Sequence, residues 1–315
     1  MPNVDLHHHA PFAGYVERLT GIGVQAQPGA DFPSWRPADS VALMDRLGLD
    51  LAVLSIGSPG FYFGDQAFTT SLCHDANDEL TQIVRDGAGR FAALVCLPLP
   101  SVDAALDELD RRWGRPEFAG VSLLTNYGGQ YVGKPDFDPL LAELDARGAV
   151  VHVHPTLPAW WPEGEIPLRP SVLEYLFDTA RLITNLMLAG VPDRFPGIRW
   201  VFSHCGGAMA SVAPRLALVE GTPQLAQVPE AGVLATLNRF YYDTALSHTD
   251  ADLGALLSLV DESQLVLGTD FPFSNEELVR GRFEQLAAYL GPERMARIQV
   301  TNASHLLSPG RAEAD

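Results

Sequence analysis

The residues best equipped for chemistry are histidines and one aspartate at the ends of short apolar runs. Near the start of the chain stands Val4-Asp5-Leu6-His7-His8-His9. If this is a strand, alternation turns His7 and His9 to one side and Leu6 and His8 to the other. Two imidazoles on one side can share a divalent metal, and such a site needs three or four donors. His-x-His alone is a weak signal, and a purification tag is a blander reading. Only three histidines stand together, however, and apolar residues flank them. Further donors follow in Val151-His152-Val153-His154-Pro155, Ser203-His204-Cys205-Gly206-Gly207 and Leu267-Gly268-Thr269-Asp270-Phe271-Pro272. If these runs are strands of one barrel, His7, His9, His154, His204 and Asp270 gather at the same end. Chance rarely places His or Asp at the end of four separate strands, so a metal site is expected.

In that site His7, His9 and His154 would offer neutral imidazole nitrogens and Asp270 a carboxylate oxygen, leaving room for water or substrate. His204 is either another ligand or a general acid/base. The second role is preferred, because a fifth protein ligand would close the site. His152 lies one layer deeper and reads as core or support. His8 points away and reads as structural, while His74 and His305 fall on helical segments and read as surface residues. His248, after the seventh run, could reach the mouth. Cys205 is a less well placed donor than its neighbour His204, and Asp5 is a candidate to hold a ligand histidine in one tautomer. Lys134 is the only lysine. A Schiff base, or a lysine carbamate bridging two metals, therefore has one candidate, in the Gly-rich stretch 128–133 and its edge. A solvent-facing lysine and a mononuclear site are expected.

Positioning these groups takes eight apolar runs: Asn3–Leu6, Leu51–Ile56, Phe91–Leu97, Gly120–Leu124, Val150–His154, Arg199–Ser203, Arg239–Asp243 and Gln264–Gly268. Helical patterns separate them, at Ser40–Leu47, Leu72–Arg85, Val102–Trp113, Phe137–Arg147, Ser171–Leu188 and Ala208–Val219. Strand and helix alternating eight times predict an α/β fold, a single (β/α)₈ barrel over residues 1–315 with its site at the C-terminal ends of the strands. A doubly wound open sheet is the rival, but no G-x-G-x-x-G follows the first strand. The long connections at 10–39 and 155–170 carry Trp35, Trp160 and Trp161. Together with Phe61, Tyr62, Phe63, Tyr127, Phe271 and Phe273 they would rim the mouth. Tyr127, Trp160 and Phe271 are the expected substrate contacts.

Composition narrows the partners. A net charge of −18 disfavours nucleic acid and anionic membranes, yet one arginine or a metal can still make a local anion site. No apolar run is long enough to span a bilayer and no signal-peptide pattern opens the sequence, so a cytoplasmic protein is expected. Three scattered cysteines imply no disulfide framework.

The motifs around the expected ligands, with Leu43-Met44-Asp45-Arg46-Leu47-Gly48, Leu54-Ser55-Ile56-Gly57-Ser58-Pro59-Gly60, Leu124-Thr125-Asn126-Tyr127-Gly128-Gly129 and Tyr242-Asp243-Thr244-Ala245, carry a resemblance over nearly the whole chain. The sequence resembles the aminocarboxymuconate-semialdehyde decarboxylase branch of the amidohydrolase superfamily, and within it the 6-methylsalicylate decarboxylase-like proteins. The resemblance implies a mononuclear barrel site, usually zinc and sometimes manganese, with ligands matching His7, His9, His154 and Asp270 and an acid/base matching His204. It also implies a homodimer in which Arg215, at the matching offset from His204, reaches the partner's substrate carboxylate. His8 between the ligands and the Trp160-Trp161 pair depart from the pattern. The activity implied is non-oxidative decarboxylation of a small aromatic or unsaturated acid, of salicylate type, with His204 or Asp270 protonating carbon. Hydrolysis of a lactone or amide, and a catalytically silent metal-binding protein, are the rival readings.

Overall fold

The computed structural model describes residues 1–28, 30–161, 167–221 and 229–308. Eight parallel strands lie side by side in chain order: β1 Val4–His9, β2 Leu51–Ser55, β3 Phe91–Cys96, β4 Phe118–Leu124, β5 Val150–His154, β6 Arg199–Phe202, β7 Tyr241–Asp243 and β8 Leu265–Val266. Backbone bonds from Leu6 N–H to the Leu267 carbonyl at 2.9 Å and from His9 N–H to the Phe271 carbonyl at 2.8 Å bring the ends of the sheet together. The result is a (β/α)₈ barrel. No helix of the described residues is long and apolar enough to cross a membrane.

Capping chemistry sets where helices begin, and it moves some boundaries from those the apolar pattern suggests. The helix after β2 runs Gln66–Asp86, starting earlier than Leu72, because Asp65 accepts the Phe68 N–H at 3.0 Å. Ser101 opens Val102–Arg112 in the same way. The connection after β1 is not only loop: it contains the helices Ala13–Thr20 and Pro37–Leu47.

The barrel interior has two levels. At the bottom, Val4, Leu6, Val53, Leu94, Val150, Val201 and Val266 pack with Ala303 and Leu306 of the helix Asn302–Leu307, which plugs that end. Leu6 therefore departs from simple alternation. Pairing of β1 with β2 shifts register between Asp5 and His8, and this bulge lets Leu6, His7 and His9 all serve the interior while His8 faces outward. Strand exteriors, including Leu54, Val95, Leu123, Val153 and Phe202, belong to the larger core shared with the helices.

Candidate active site

At the C-terminal ends of the strands, His7, His9, His154 and Asp270 bring one donor atom each to within 4.8 Å of one another, all buried. His7 Nε2 lies 2.9 Å from His9 Nε2, and Asp270 Oδ1 lies 3.1 Å from His9 Nε2 and 3.4 Å from His7 Nε2. The opposite nitrogen of each ring is already committed. His7 Nδ1 donates to Asp243 Oδ2 at 2.9 Å, His9 Nδ1 meets Ser55 Oγ at 3.1 Å, and His154 Nδ1 donates to the Pro155 carbonyl at 2.7 Å. The Ser58 amide, 3.4 Å from His154 Nδ1, is too distant to compete with that carbonyl. With Nδ1 protonated, each Nε2 presents a bare lone pair toward the same point.

Three lone pairs and a carboxylate aimed together need a cation among them. The same burial and charges set how strongly each group holds a proton. Burial disfavours charge on His7, but Asp243 and Asp270 outweigh it and raise the group to about 9. Burial lowers His9 to about 4, and burial with the neighbouring imidazoles holds His154 well below the ordinary range. Burial would raise Asp270, yet its bond to His9 and the nearby His7 and His204 charges keep it below the usual carboxylate range. Three imidazoles and one carboxylate suit zinc-like divalent ions.

Beneath these ligands sits a support that sequence reasoning missed. Asp243, at the end of β7, accepts from His7 Nδ1 and His152 Nε2, both at 2.9 Å, and from the His204 and Ala245 amides, both at 3.0 Å. Burial opposes its charge, but His7 and His152 hold its carboxyl well below the usual range. His7, His152 and Asp243 also cluster closely enough to suggest a second metal position. Their contacts are ordinary N–H···O bonds, so they form an orienting layer. Asp5 does not take this task. Its carboxylate accepts from His8 Nδ1 at 2.8 Å and from Thr269 Oγ1 at 2.6 Å, while His8 Nε2 meets Ser40 Oγ at 2.7 Å. In the sequence Asp243 stands out only as an acid at a strand end, inside the Tyr242-Asp243-Thr244-Ala245 stretch that carries the resemblance.

Two glycines admit the ligands. A Cβ at Gly57 would stand 2.5 Å from His9 Cε1, and one at Gly268 would stand 2.7 Å from His7 Cβ. The backbone is also strained here. His204, Cys205, Leu246 and Asp270 all have φ between 54° and 60°, and among the described residues the one other non-glycine residue of positive φ is Ala88 in a surface turn. Strain of this kind persists only where surroundings enforce it.

His204 lies beside the ligands, its ring centroid 5.0 Å from that of His7. Its Nδ1 donates to the Ala245 carbonyl at 3.1 Å, leaving Nε2 as the acceptor, and burial pushes its basicity down. Cys205 is buried and burial raises its thiol, so it offers no thiolate. Lys134 is exposed. His248 stays outside the main cavity.

That cavity, about 740 Å³, is lined by His154, His204 and Asp270 together with Tyr175, Phe273 and Arg282. Phe271 does not join it. Asp270 faces inward, so its neighbour turns away and packs on His8, with ring centroids 5.3 Å apart. Phe273 takes the wall instead, edge-on to His9 at 5.2 Å. Tyr127 lines an adjoining cavity of about 380 Å³, its hydroxyl accepting the Leu124 amide at 2.9 Å. Trp160 is 56% exposed with Arg181 over its ring and lines neither cavity. Arg215 is exposed on the helix Met209–Leu216 and lines neither cavity of its own chain.

A barrel whose mouth converges three imidazoles and a carboxylate defines a class: a metal-binding (β/α)₈ protein with an open cavity above the ligands. Residues 4–308 match the Amidohydro_2 family model, described as amidohydrolase, and the chain belongs to that family. The 6-methylsalicylic acid decarboxylase of Aspergillus aculeatus is 30% identical over 287 residues, 85% of this chain and 84% of that protein. The crystal structure of an amidohydrolase II superposes with a TM-score of 0.89 at 28% identity, covering 97% of this chain and 99% of that one. A dihydroxybenzoic acid decarboxylase from a Polaromonas species, crystallised with manganese and 2-nitroresorcinol, shares the fold at a TM-score of 0.81 and 20% identity, covering 99% and 98%.

Proposed function

We propose that this chain is a metal-dependent, non-oxidative decarboxylase of a small aromatic carboxylic acid, most simply a salicylate-type 2-hydroxybenzoate. The observation that carries the reading is the set of three Nδ1-anchored imidazoles with Asp270, opening on a cavity that also holds His204. The 30% identity to a 6-methylsalicylic acid decarboxylase supports the substrate class. We assign His7, His9, His154 and Asp270 as ligands, with zinc favoured by the imidazole-rich donor set and manganese as the alternative. When bound, the cation would supply positive charge facing the negative charge of the acid. Phe273 flanks the ring. In the reaction the ring carbon gains a proton, the bond to the carboxylate breaks, and its electron pair returns to the ring as carbon dioxide leaves. His204 is assigned the proton transfer: its Nε2, left free by the Nδ1 bond to Ala245, takes a proton from solvent and passes it to the ring carbon, while Asp270 is committed to the ligand cluster. Asp270 is the alternative donor. We further propose one domain over residues 1–315, a homodimer sharing Arg215, and a cytoplasmic location, which three buried unpaired cysteines suit.

The test is product chemistry. Protein carrying its metal should release carbon dioxide from a 2-hydroxybenzoate and leave one deuterium at the former carboxylate position in heavy water. Ring opening of a lactone or amine release from an amide, without carbon dioxide from any aromatic acid, would favour the hydrolase reading instead.

A further inference from the structure

Arginines in this acidic protein mostly sit against carboxylates. Arg112 pairs with Glu108, Arg239 with Asp193 and Arg46 with Glu276. Arg282 differs. It projects from the helix Glu276–Ala296, is partly buried, and lines the main cavity. Among the described residues no carboxylate lies within 4 Å of it, and its one hydrogen bond runs from Nη1 to Ser274 Oγ at 3.3 Å. Ser274 Oγ is in turn 3.4 Å from Asp270 Oδ2. The guanidinium thus stands about two hydrogen-bond lengths from the ligand carboxylate, with most of its five donors unused. A planar, permanently charged group in that state is matched to a carboxylate, which it can grip through two parallel bonds. Arg169 also lines the cavity but is exposed at its rim.

We propose that Arg282 is the specificity-determining residue that receives the carboxylate of the acid bound in this cavity, selecting anions over neutral aromatics of the same shape. The inference rests on the aromatic-acid reading of the cavity. It places the anion between the ligand cluster and the wall built by the helix after β8. Ser274 braces the guanidinium, and Arg282 does not work by way of Ser274 on Asp270.

The test compares equilibrium binding of 2-hydroxybenzoate and of its neutral amide to metal-loaded protein by calorimetry, alongside turnover. Arg282→Met should weaken the acid by about 10- to 100-fold, the scale of a lost charge-assisted contact, while amide affinity changes little. KM should rise more than kcat falls, and Arg282→Lys should recover part of the loss. Ser274→Ala, which removes the brace and keeps the charge, should weaken the acid by less than Arg282→Met does. Equal losses for acid and amide with a lowered melting temperature would reduce Arg282 to a packing residue and overturn the proposal. So would a Ser274→Ala variant that reproduces Arg282→Met, since the arginine would then act only by positioning Asp270. Normal carbon dioxide release with unchanged acid binding in Arg282→Met sinks this inference alone. Arg282-dependent acid binding with no carbon dioxide from any aromatic acid sinks the decarboxylase reading and leaves the anion site standing.

Discussion

The two ends of the barrel are made by the same strands and obey different rules. At the bottom, Val4, Leu6, Val150, Val201 and Val266 close on Ala303 and Leu306. The plugging helix is tied down by Asn302 Nδ2, which donates to the Leu265 carbonyl at 2.8 Å, and by Arg199, which donates to the Leu306 carbonyl. At the mouth the same strands end in imidazoles, carboxylates and four residues of positive φ. The bottom stabilises the fold through apolar burial. The mouth opposes it with buried titratable groups and strained backbone, offset by hydrogen bonds and by the cation its donors call for. Strand β5 shows the division within five residues: Val150 faces the plug, while His152 and His154 face the chemistry. Mouth substitutions should therefore change turnover more than melting, and bottom substitutions the reverse.

The largest effect belongs to the layer that fixes the ligands. His7→Ala should remove bound metal and turnover together. Asp243→Asn should cost about 10- to 100-fold in metal affinity, because its one remaining acceptor oxygen can serve either the His7 and His152 rings or the His204 and Ala245 amides, and the other pair then faces an NH2 donor. Metal content after dialysis is the measurement, and an Asp243→Asn protein that keeps full metal would remove Asp243 from that role. One equivalent per chain is expected, unaffected by Lys134→Ala, since Lys134 is exposed.

Next comes the proton. His204→Ala with metal retained should lower kcat by on the order of 10²-fold or more, the scale of a positioned acid/base. Asp270→Asn is informative only if its metal content is shown to persist. A metal-replete Asp270→Asn of near-normal rate leaves His204 as donor, and two active variants would break the mechanism.

How far the sequence disclosed this division depends on whether a residue's task is local. His7, His9, His154 and Asp270 were legible because donor type and strand-end position suffice to gather them, and the eight apolar runs supply the barrel. Leu6 was misplaced because a bulge depends on pairing with β2, which strand alternation does not encode. Phe273 rims the mouth as its position suggests, whereas Phe271 packs on His8, because the chain turns after Asp270 and periodicity no longer applies. Asp243 passed unassigned because an acid at a strand end reads equally as ligand or as support. Arg282 enters from a helix, and nothing in local spacing points a long side chain back toward the strands.

At the bottom, Leu306→Ala should lower stability by about 2–5 kcal/mol, the range for a fully buried leucine, with turnover at 25 °C unchanged. Thermal unfolding and steady-state kinetics on the same preparation decide it. Lost turnover in still-folded protein would show that plug and mouth are coupled, and the comparison would need redrawing.

The smallest signal asks whether the mouth is complete within one chain. Arg215 is exposed and lines neither cavity of its own chain, so any service to a substrate is to a neighbour's. In a two-fold dimer the two sites are equivalent, and each would draw its arginine from the other subunit. Mixing Arg215→Ala chains with His204→Ala chains creates hybrids in which one site loses both groups and the other keeps both. Random pairing makes about half of the dimers hybrid, so roughly a quarter of wild-type turnover should return. Each parent alone should stay low, and the recovered fraction should vanish when subunits are prevented from exchanging. If hybrids demonstrably form and no activity returns, Arg215 has no part in the partner's site. The cationic side of the mouth would then belong to the chain's own Arg282 and Arg169.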